Sequence, residues 1–257
     1  IEVIQDTIEG SDYSLRVHYL DEDADEVKEA VRMCREHKPM GILFLGGNIQ
    51  YFHEEFELVN VPCVLVTDRA DKLGFRNLAS VSTDDMAAAE MAVDYLFDHG
   101  HRDIAVIGGD MALSSPSKYR KAGAKRSFIK HGCEFEEESY AVARFSYESA
   151  YNAMNRMLAS KRSITAVFAM SDVMAVGAMR AIFDAGLRVP EDISVIGFDG
   201  TLLADYYNPK IVTVCQGYEK IARKSIDLLF GMIDLNKPAT HELVPFSLKN
   251  TESVSSI

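Results

Sequence analysis

The sequence predicts an α/β protein of two doubly wound parallel-sheet lobes, and three observations carry that expectation. Short apolar runs of strand length alternate with helical patterns along the whole chain. The runs are continuous rather than alternating, as in parallel strands covered by helices on both faces. The 257 residues, 47% of them apolar, suffice for one large domain or for two lobes of ordinary size with a core in each.

The chain opens on a helical pattern, IEVIQDTIEG. SLRVHYL, GILFLG, PCVLV and LASVS then read as strands, separated by helical patterns such as DEVKEAVRMCREHK and followed by DMAAAEMAVDYLFDHG. A second series starts at DIAVIGG and continues through YAVARF, ITAVFAM and ISVIGF, with helices around 117–131 and 146–160. After IVTVCQ come the amphipathic helix YEKIARKSIDLLFGMI and the strand ELVPFSL. The run from Ile164 to Asp199 is one complete β-α-β unit. Its first strand ends at Ser171-Asp172, where Ser171 can cap the following helix. In that helix Val173, Val176, Met179, Ala181 and Phe183 favour one side, and Gly186 supplies the stop. Its second strand delivers Asp199 to the carboxyl end, beyond which open α/β sheets bind their ligands.

Composition removes several function classes. A formal charge of −12 argues against nucleic-acid binding by this stretch alone, because phosphate neutralisation needs clustered Lys and Arg. No apolar run is long enough to span a bilayer, and no basic-plus-apolar leader is expected. Cys34, Cys63, Cys133 and Cys215 fall singly, which reads as free, buried thiols in a reducing compartment. The histidines lack metal-ligand spacing, and neither Gly46-Gly47 nor Gly108-Gly109 extends to a phosphate-binding loop. No metal or cofactor is expected. The G-x-S-x-G nucleophile elbow is also missing from the sequence.

Four positions carry candidate chemistry, each with a plainer alternative. Asp85 sits near a helix start, where it or its neighbour Asp84 can cap free N–H groups. Arg120 lies one turn into a helix, where an arginine is usually a solvated surface residue. Asp199 ends an apolar strand within IGFDG, a place that also suits a turn-forming aspartate. Phe145, after YAVARF begins as a strand, is either core or a flat ring for the C–H face of a sugar or a purine.

The stretch AMSDVMAVGAMRAIFDAGLRVPEDISVIGFDG resembles the effector-binding core of the LacI/GalR transcriptional regulators. VSTDDMAAAEMAVDYLFDHGHRDIAVIGG, YRKAGAKRSF, PKIVTVCQ and ELVPFSL extend the resemblance over nearly the whole chain, in the family's order. The family's helix-turn-helix headpiece and first core strand have no counterpart in the sequence. The resemblance implies periplasmic-binding-protein-like lobes joined by a three-crossing hinge near Gly100, Gly217 and Thr240. The lobes would be 1–100 with 217–240, and 101–216 with 241–257, with ELVPFSL in the second. It implies ligand contacts at Asp85, Arg120, Phe145 and Asp199, with Asp85 on one lobe and Arg120 and Asp199 on the other. Ser114, Ser171 and Gln216 are secondary candidates; many relatives carry Asn where Ser171 stands. The Arg120 fork would suit two hydroxyls or a carboxylate.

The implied protein is a non-catalytic cytoplasmic homodimer that senses a small polar effector, a sugar or sugar derivative by preference, and shifts between hinge states. Operator DNA would be reached only through a headpiece outside this chain. Two other classes remain: a periplasmic solute-binding receptor of an ABC sugar transporter, and an enzyme using Asp85 and Asp199 as a carboxylate pair on a glycoside.

Overall fold

The computed structural model describes residues 1–21, 24–160 and 162–257. The chain divides into two compact units, Ile1–Thr83 with Gly217–Val244, and Asp84–Gln216 with Pro245–Ile257. It therefore passes between them three times.

The first unit begins with α1 (Glu2–Ile8), α2 (Glu26–Glu36), β1 (Ile42–Leu45), β2 (Cys63–Val66) and β3 (Leu78–Ser82). The second is built from α3 (Asp85–Asp98), β4 (Ile104–Gly108), α4 (Ser115–Lys130), β5 (Tyr140–Val142), α5 (Tyr147–Ala159), β6 (Ala166–Ala169), α6 (Asp172–Asp184), β7 (Ser194–Asp199), α7 (Leu202–Tyr206) and β8 (Val212–Cys215). The chain returns to the first unit as α8 (Tyr218–Leu235) and β9 (His241–Leu243), and ends in the second with β10 (Ser247–Lys249).

The first sheet has the order β1-β2-β3-β9, with every neighbouring pair parallel. The second has the order β10-β8-β7-β6-β4-β5, parallel except for β10 against β8. In the second sheet β4, β6 and most of β7 are wholly buried, which is why ITAVFAM and ISVIGF carry apolar side chains at successive positions. Helix starts are capped by the residues that suit the role: Asp25 accepts from Val27 N and Lys28 N, Asp84 from Ala87 N, and Ser171 from Met174 N.

The structure departs from the sequence reading at five places. SLRVHYL forms no strand; Leu15, Val17, Tyr19 and Leu20 are exposed, because strand-like residues without a neighbouring strand have no ladder to join. ELVPFSL is two strands: β9 pairs parallel with β3 in the first unit, and β10 pairs antiparallel with β8 in the second. Pro245, which has no N–H to donate, sits at the break. On α6 the buried side is Met174, Ala175, Ala178, Met179, Ala181 and Ile182, whereas Val173, Val176 and Phe183 are only half-buried. Small residues hold that side because α5 comes close: a Cβ at Gly177 would lie 2.3 Å from the Tyr147 carbonyl oxygen. Of the cysteines, all free, only Cys63 is fully buried.

The fifth departure bears on the site. The first crossing falls at Thr83/Asp84 rather than near Gly100, so α3 belongs with the second unit. The cause is close packing of α3 on α4, where Gly123 lets the helices approach until a Cβ would stand 2.1 Å from the Met86 carbonyl oxygen. Gly100 is instead a tight internal turn with φ 95°, against the carbonyl oxygen of Ile257. The last crossing falls at Val244/Pro245 rather than at Thr240.

Among the described residues no helix is long and apolar enough to cross a membrane, and no cluster of His, Cys, Asp and Glu could hold a metal ion.

Candidate ligand-binding site

Asp85, Arg120, Phe145, Asp199, Ser114, Ser171 and Gln216 all lie in the second unit, Arg120 inside α4 and the others at or near the ends of elements. The expected split of Asp85 from Arg120 and Asp199 is therefore corrected.

Asp85 is the first residue of α3 and is buried. Capping falls to Asp84, which leaves the Asp85 carboxylate to accept a hydrogen bond from Arg120 Nε at 2.7 Å. Arg120, one turn and a half into α4, is buried as well. Its Nη1 donates to the Met170 carbonyl oxygen at 2.6 Å and stands 4.0 Å from Asp199 Oδ1. Its guanidinium covers the Phe198 ring, 3.7 Å from the centroid, so the cation rests on a π-face while its edges face oxygens. The fork is thus already engaged by Asp85 and Met170, and only Nη2 lacks a protein hydrogen-bond partner among the described residues.

Asp199 is the last residue of β7 and adopts φ 118°, a backbone region that side-chain-bearing residues rarely occupy. Gln216, just beyond the adjacent β8, donates from Nε2 to Asp199 Oδ1 at 2.7 Å and from its backbone N to Asp199 O. Burial pushes the Asp199 carboxyl up to about 7; Arg120 opposes this, while Asp172 and Asp85 add to it. Some 30% of the side chain stays exposed, so the group is accessible to a ligand. Burial also raises the Asp85 pKa against the pull of Arg120. One guanidinium therefore faces more carboxylates than it can neutralise.

Asp85, Arg120, Asp199 and Gln216 thus form one connected cluster. Ser114 and Ser171 act as helix caps, accepting from Ser117 N and Met174 N. Phe145 is 38% exposed, with its ring edge against Gly109, where a Cβ would lie 2.8 Å from Phe145 Cε2. The sequence reading missed Asp172, whose carboxylate is fully buried behind Asp199 and bonded to Thr201 and Thr213. Its only signal was an acid at the carboxyl end of a buried strand, beside the serine that was noticed.

The arrangement is a set of fixed hydrogen-bond acceptors with one shared cation, partly open at Asp199. It suits a ligand rich in hydroxyl donors. Among the described residues it holds no nucleophile activated by an adjacent base.

A family model described as a periplasmic binding protein-like domain matches residues 93–254. The transcriptional regulator MalR of Clostridium butyricum is 32% identical over 99% of this chain and 77% of its own length. The probable transcriptional repressor ExuR of Bacillus subtilis is 36% identical over 75% of this chain, which spans 56% of that repressor. A solved structure from Actinobacillus succinogenes superposes with a TM-score of 0.88 at 27% identity, covering 98% of this chain and 92% of the other.

Proposed function

The chain belongs to the LacI/GalR family of transcriptional regulators, and on that premise we propose that it is the effector-binding core of a cytoplasmic, non-catalytic regulator that senses a small polyhydroxylated ligand, a sugar or sugar derivative by preference. The observation that carries this reading is the Asp85-Arg120-Asp199-Gln216 cluster at the carboxyl end of β7. Carboxylates held rigidly by a buried sheet accept ligand hydroxyls without first ordering a loop, which is where affinity is gained. The exposed Phe145 ring is assigned to cover the C–H face of the same ligand.

The cluster also sits at the chain crossings. Asp85 lies one residue past the first crossing, and Gln216 is the last residue before the second, followed by Gly217 at φ 70°. A ligand that pulls on Asp199 through its hydroxyls thus acts directly on residues adjoining two crossings. Differential affinity for two arrangements of those crossings is all that a population shift requires. DNA recognition is assigned to a headpiece outside this chain, consistent with the charge of −12.

The core is proposed to act as a homodimer. On the short α7, Leu202 and Tyr206 are 65% and 86% exposed, an apolar pair on the surface that a second copy can cover. Light scattering should give a dimer at micromolar concentration, and Tyr206→Asp should return it to a monomer.

The function is tested by thermal shift with D-ribose, D-glucose, cellobiose, D-glucuronate and hypoxanthine. A ligand at 100 times its dissociation constant should stabilise by about 2.7 kcal/mol. Stabilisation by hypoxanthine and by no sugar would replace the sugar reading with a purine one, and chemical conversion of a bound sugar, read by mass spectrometry, would replace the regulator with an enzyme.

A further inference from the structure

Asp172 has both of its carboxylate oxygens engaged by the fold. It is fully buried at the first position of α6. Its Oδ2 accepts from Thr201 N at 2.7 Å and Thr201 Oγ1 at 2.8 Å, and its Oδ1 accepts from Thr213 Oγ1 at 2.6 Å. Thr213 Oγ1 in turn accepts from Gly200 N at 3.3 Å. The two residues after Asp199 are thus tied, directly or through one hydroxyl, to a single carboxylate. The strand spacing leaves no slack: a Cβ at Gly197 would lie 2.6 Å from Asp172 Oδ1, and one at Gly200 would lie 2.6 Å from Cys215 Cα.

A rarely populated backbone such as Asp199 at φ 118° persists only where its surroundings over-determine it. Gln216 N fixes the Asp199 carbonyl from one side, and the Asp172 bonds fix Gly200 and Thr201 from the other. A serine or threonine has one hydroxyl oxygen and could not serve Thr201 and Thr213 together, whereas the two oxygens of Asp172 do. A buried carboxylate costs desolvation, so its presence calls for a function that a neutral acceptor lacks. That function is twofold: two oxygens hold Thr201 and Thr213 together, and the ionised form, which burial disfavours and these hydrogen bonds favour, adds negative charge that acts on the Asp199 carboxyl.

We infer that Asp172 is the positioning residue for Asp199, aiming its carboxyl by clamping the Gly200-Thr201 turn and setting how readily it holds a proton. The consequence for binding rests on Asp199 being a ligand contact; the clamp itself does not. The groups that act on Asp199 are Arg120 from α4, Asp85 from α3, Asp172 from α6 and the neutral Gln216 amide after β8. Behind Asp172 stand Cys215 on β8 and Lys249 on β10, with Asp205 of α7 paired to Lys249.

The test uses ligand-free protein carrying carboxyl-labelled aspartate, with the Asp199 carbon assigned by its loss in Asp199→Asn. Asp172→Asn keeps the shape and an acceptor for Thr201 while removing the charge, so the Asp199 titration midpoint should move to lower pH with Thr201 amide protection retained. Asp172→Ala removes both functions, so the Thr201 amide should also lose protection from hydrogen exchange by about tenfold or more, as expected for a lost charge-assisted bond. If Asp172→Ala does not fold, Thr213→Val removes the Oδ1 donor and the Gly200 acceptor, and should loosen the Gly200 amide instead. An unmoved Asp199 midpoint in Asp172→Asn, or full Thr201 protection in folded Asp172→Ala, overturns the inference. Failure of every sugar to bind leaves these readouts intact and counts only against the proposed function.

Discussion

The first unit keeps its ion pairs at the surface: Arg32 with Glu29 and Glu36 on α2, and Lys224 of α8 with Glu242 of β9. In the second unit Arg120 and Asp85 are buried together, with Asp172 and Asp199 close by. The cores differ in the same sense. Apolar residues of the first unit form separate clusters on the faces of a four-stranded sheet, whereas those of the second form one continuous cluster around six strands. Only a continuous, close-packed core can hold desolvated charges at fixed distances, so the larger unit is where ligand chemistry is affordable. The first unit's surface ion pairs, held in water, contribute little to stability.

The largest effect that sharpens this contrast is expected from Arg120→Met. It leaves Asp85 and Asp199 without their cation, at a cost of about 3–5 kcal/mol, and melting curves should show most of the loss at pH 8. At pH 5 the loss should shrink, because the raised carboxyls can take up protons instead. A uniform loss at both pH values would mean that Arg120 acts by packing alone.

Asp199→Asn comes next. The folded pKa of Asp199 is raised from 3.8 to about 7, so the native state binds the extra proton and its stability falls as pH rises from about 4 to about 7. The substitution should flatten that part of the pH profile and raise ligand-free stability at pH 8, by at most about 4 kcal/mol. Asp199→Ala should also weaken a bound sugar about ten- to a hundredfold, the loss of a charge-assisted hydrogen bond. Affinity within about twofold of wild type, alongside a changed melting temperature, would make Asp199 a turn residue.

A single type of substitution should have opposite signs in the two units. Gly123→Ala forces a methyl against a backbone oxygen and should destabilise by about 1–3 kcal/mol. Gly231→Ala in α8 meets only the flexible Lys237 side chain and should stabilise by up to about 1 kcal/mol. Equal signs would refute the packing contrast. The smallest effect is expected from Lys224→Ala, within about 1 kcal/mol by chemical denaturation.

The sequence revealed those features that depend on a residue and its immediate neighbours. PCVLV, ITAVFAM and ISVIGF read as strands because their apolar runs are buried on both faces, and GILFLG, a sheet-edge strand only partly buried, still reads as one from its apolar run. Asp199 stood out because it ends such a run. What depends on partners was hidden. SLRVHYL has strand composition but no ladder, and the two halves of ELVPFSL are claimed by different sheets. Asp85 was noticed, but its unit is decided by Gly123, far along the chain on α4. Asp172 was passed over because its partners, Thr201 and Thr213, come from segments that meet it only in the fold.

The crowding of carboxylates near Asp199, with only Arg120 to offset them, makes the proton a second ligand of this site. A hydroxyl donating to the Asp199 carboxylate favours its ionised form, so binding near neutral pH expels a proton to the buffer. Reciprocity then requires that affinity rise as pH climbs through about 6–8. Calorimetric titrations in phosphate and in Tris should give different apparent heats for the same affinity, the difference reporting the fraction of a proton released. On the proposed function, one carboxylate would register both the ligand and the acidity of its surroundings.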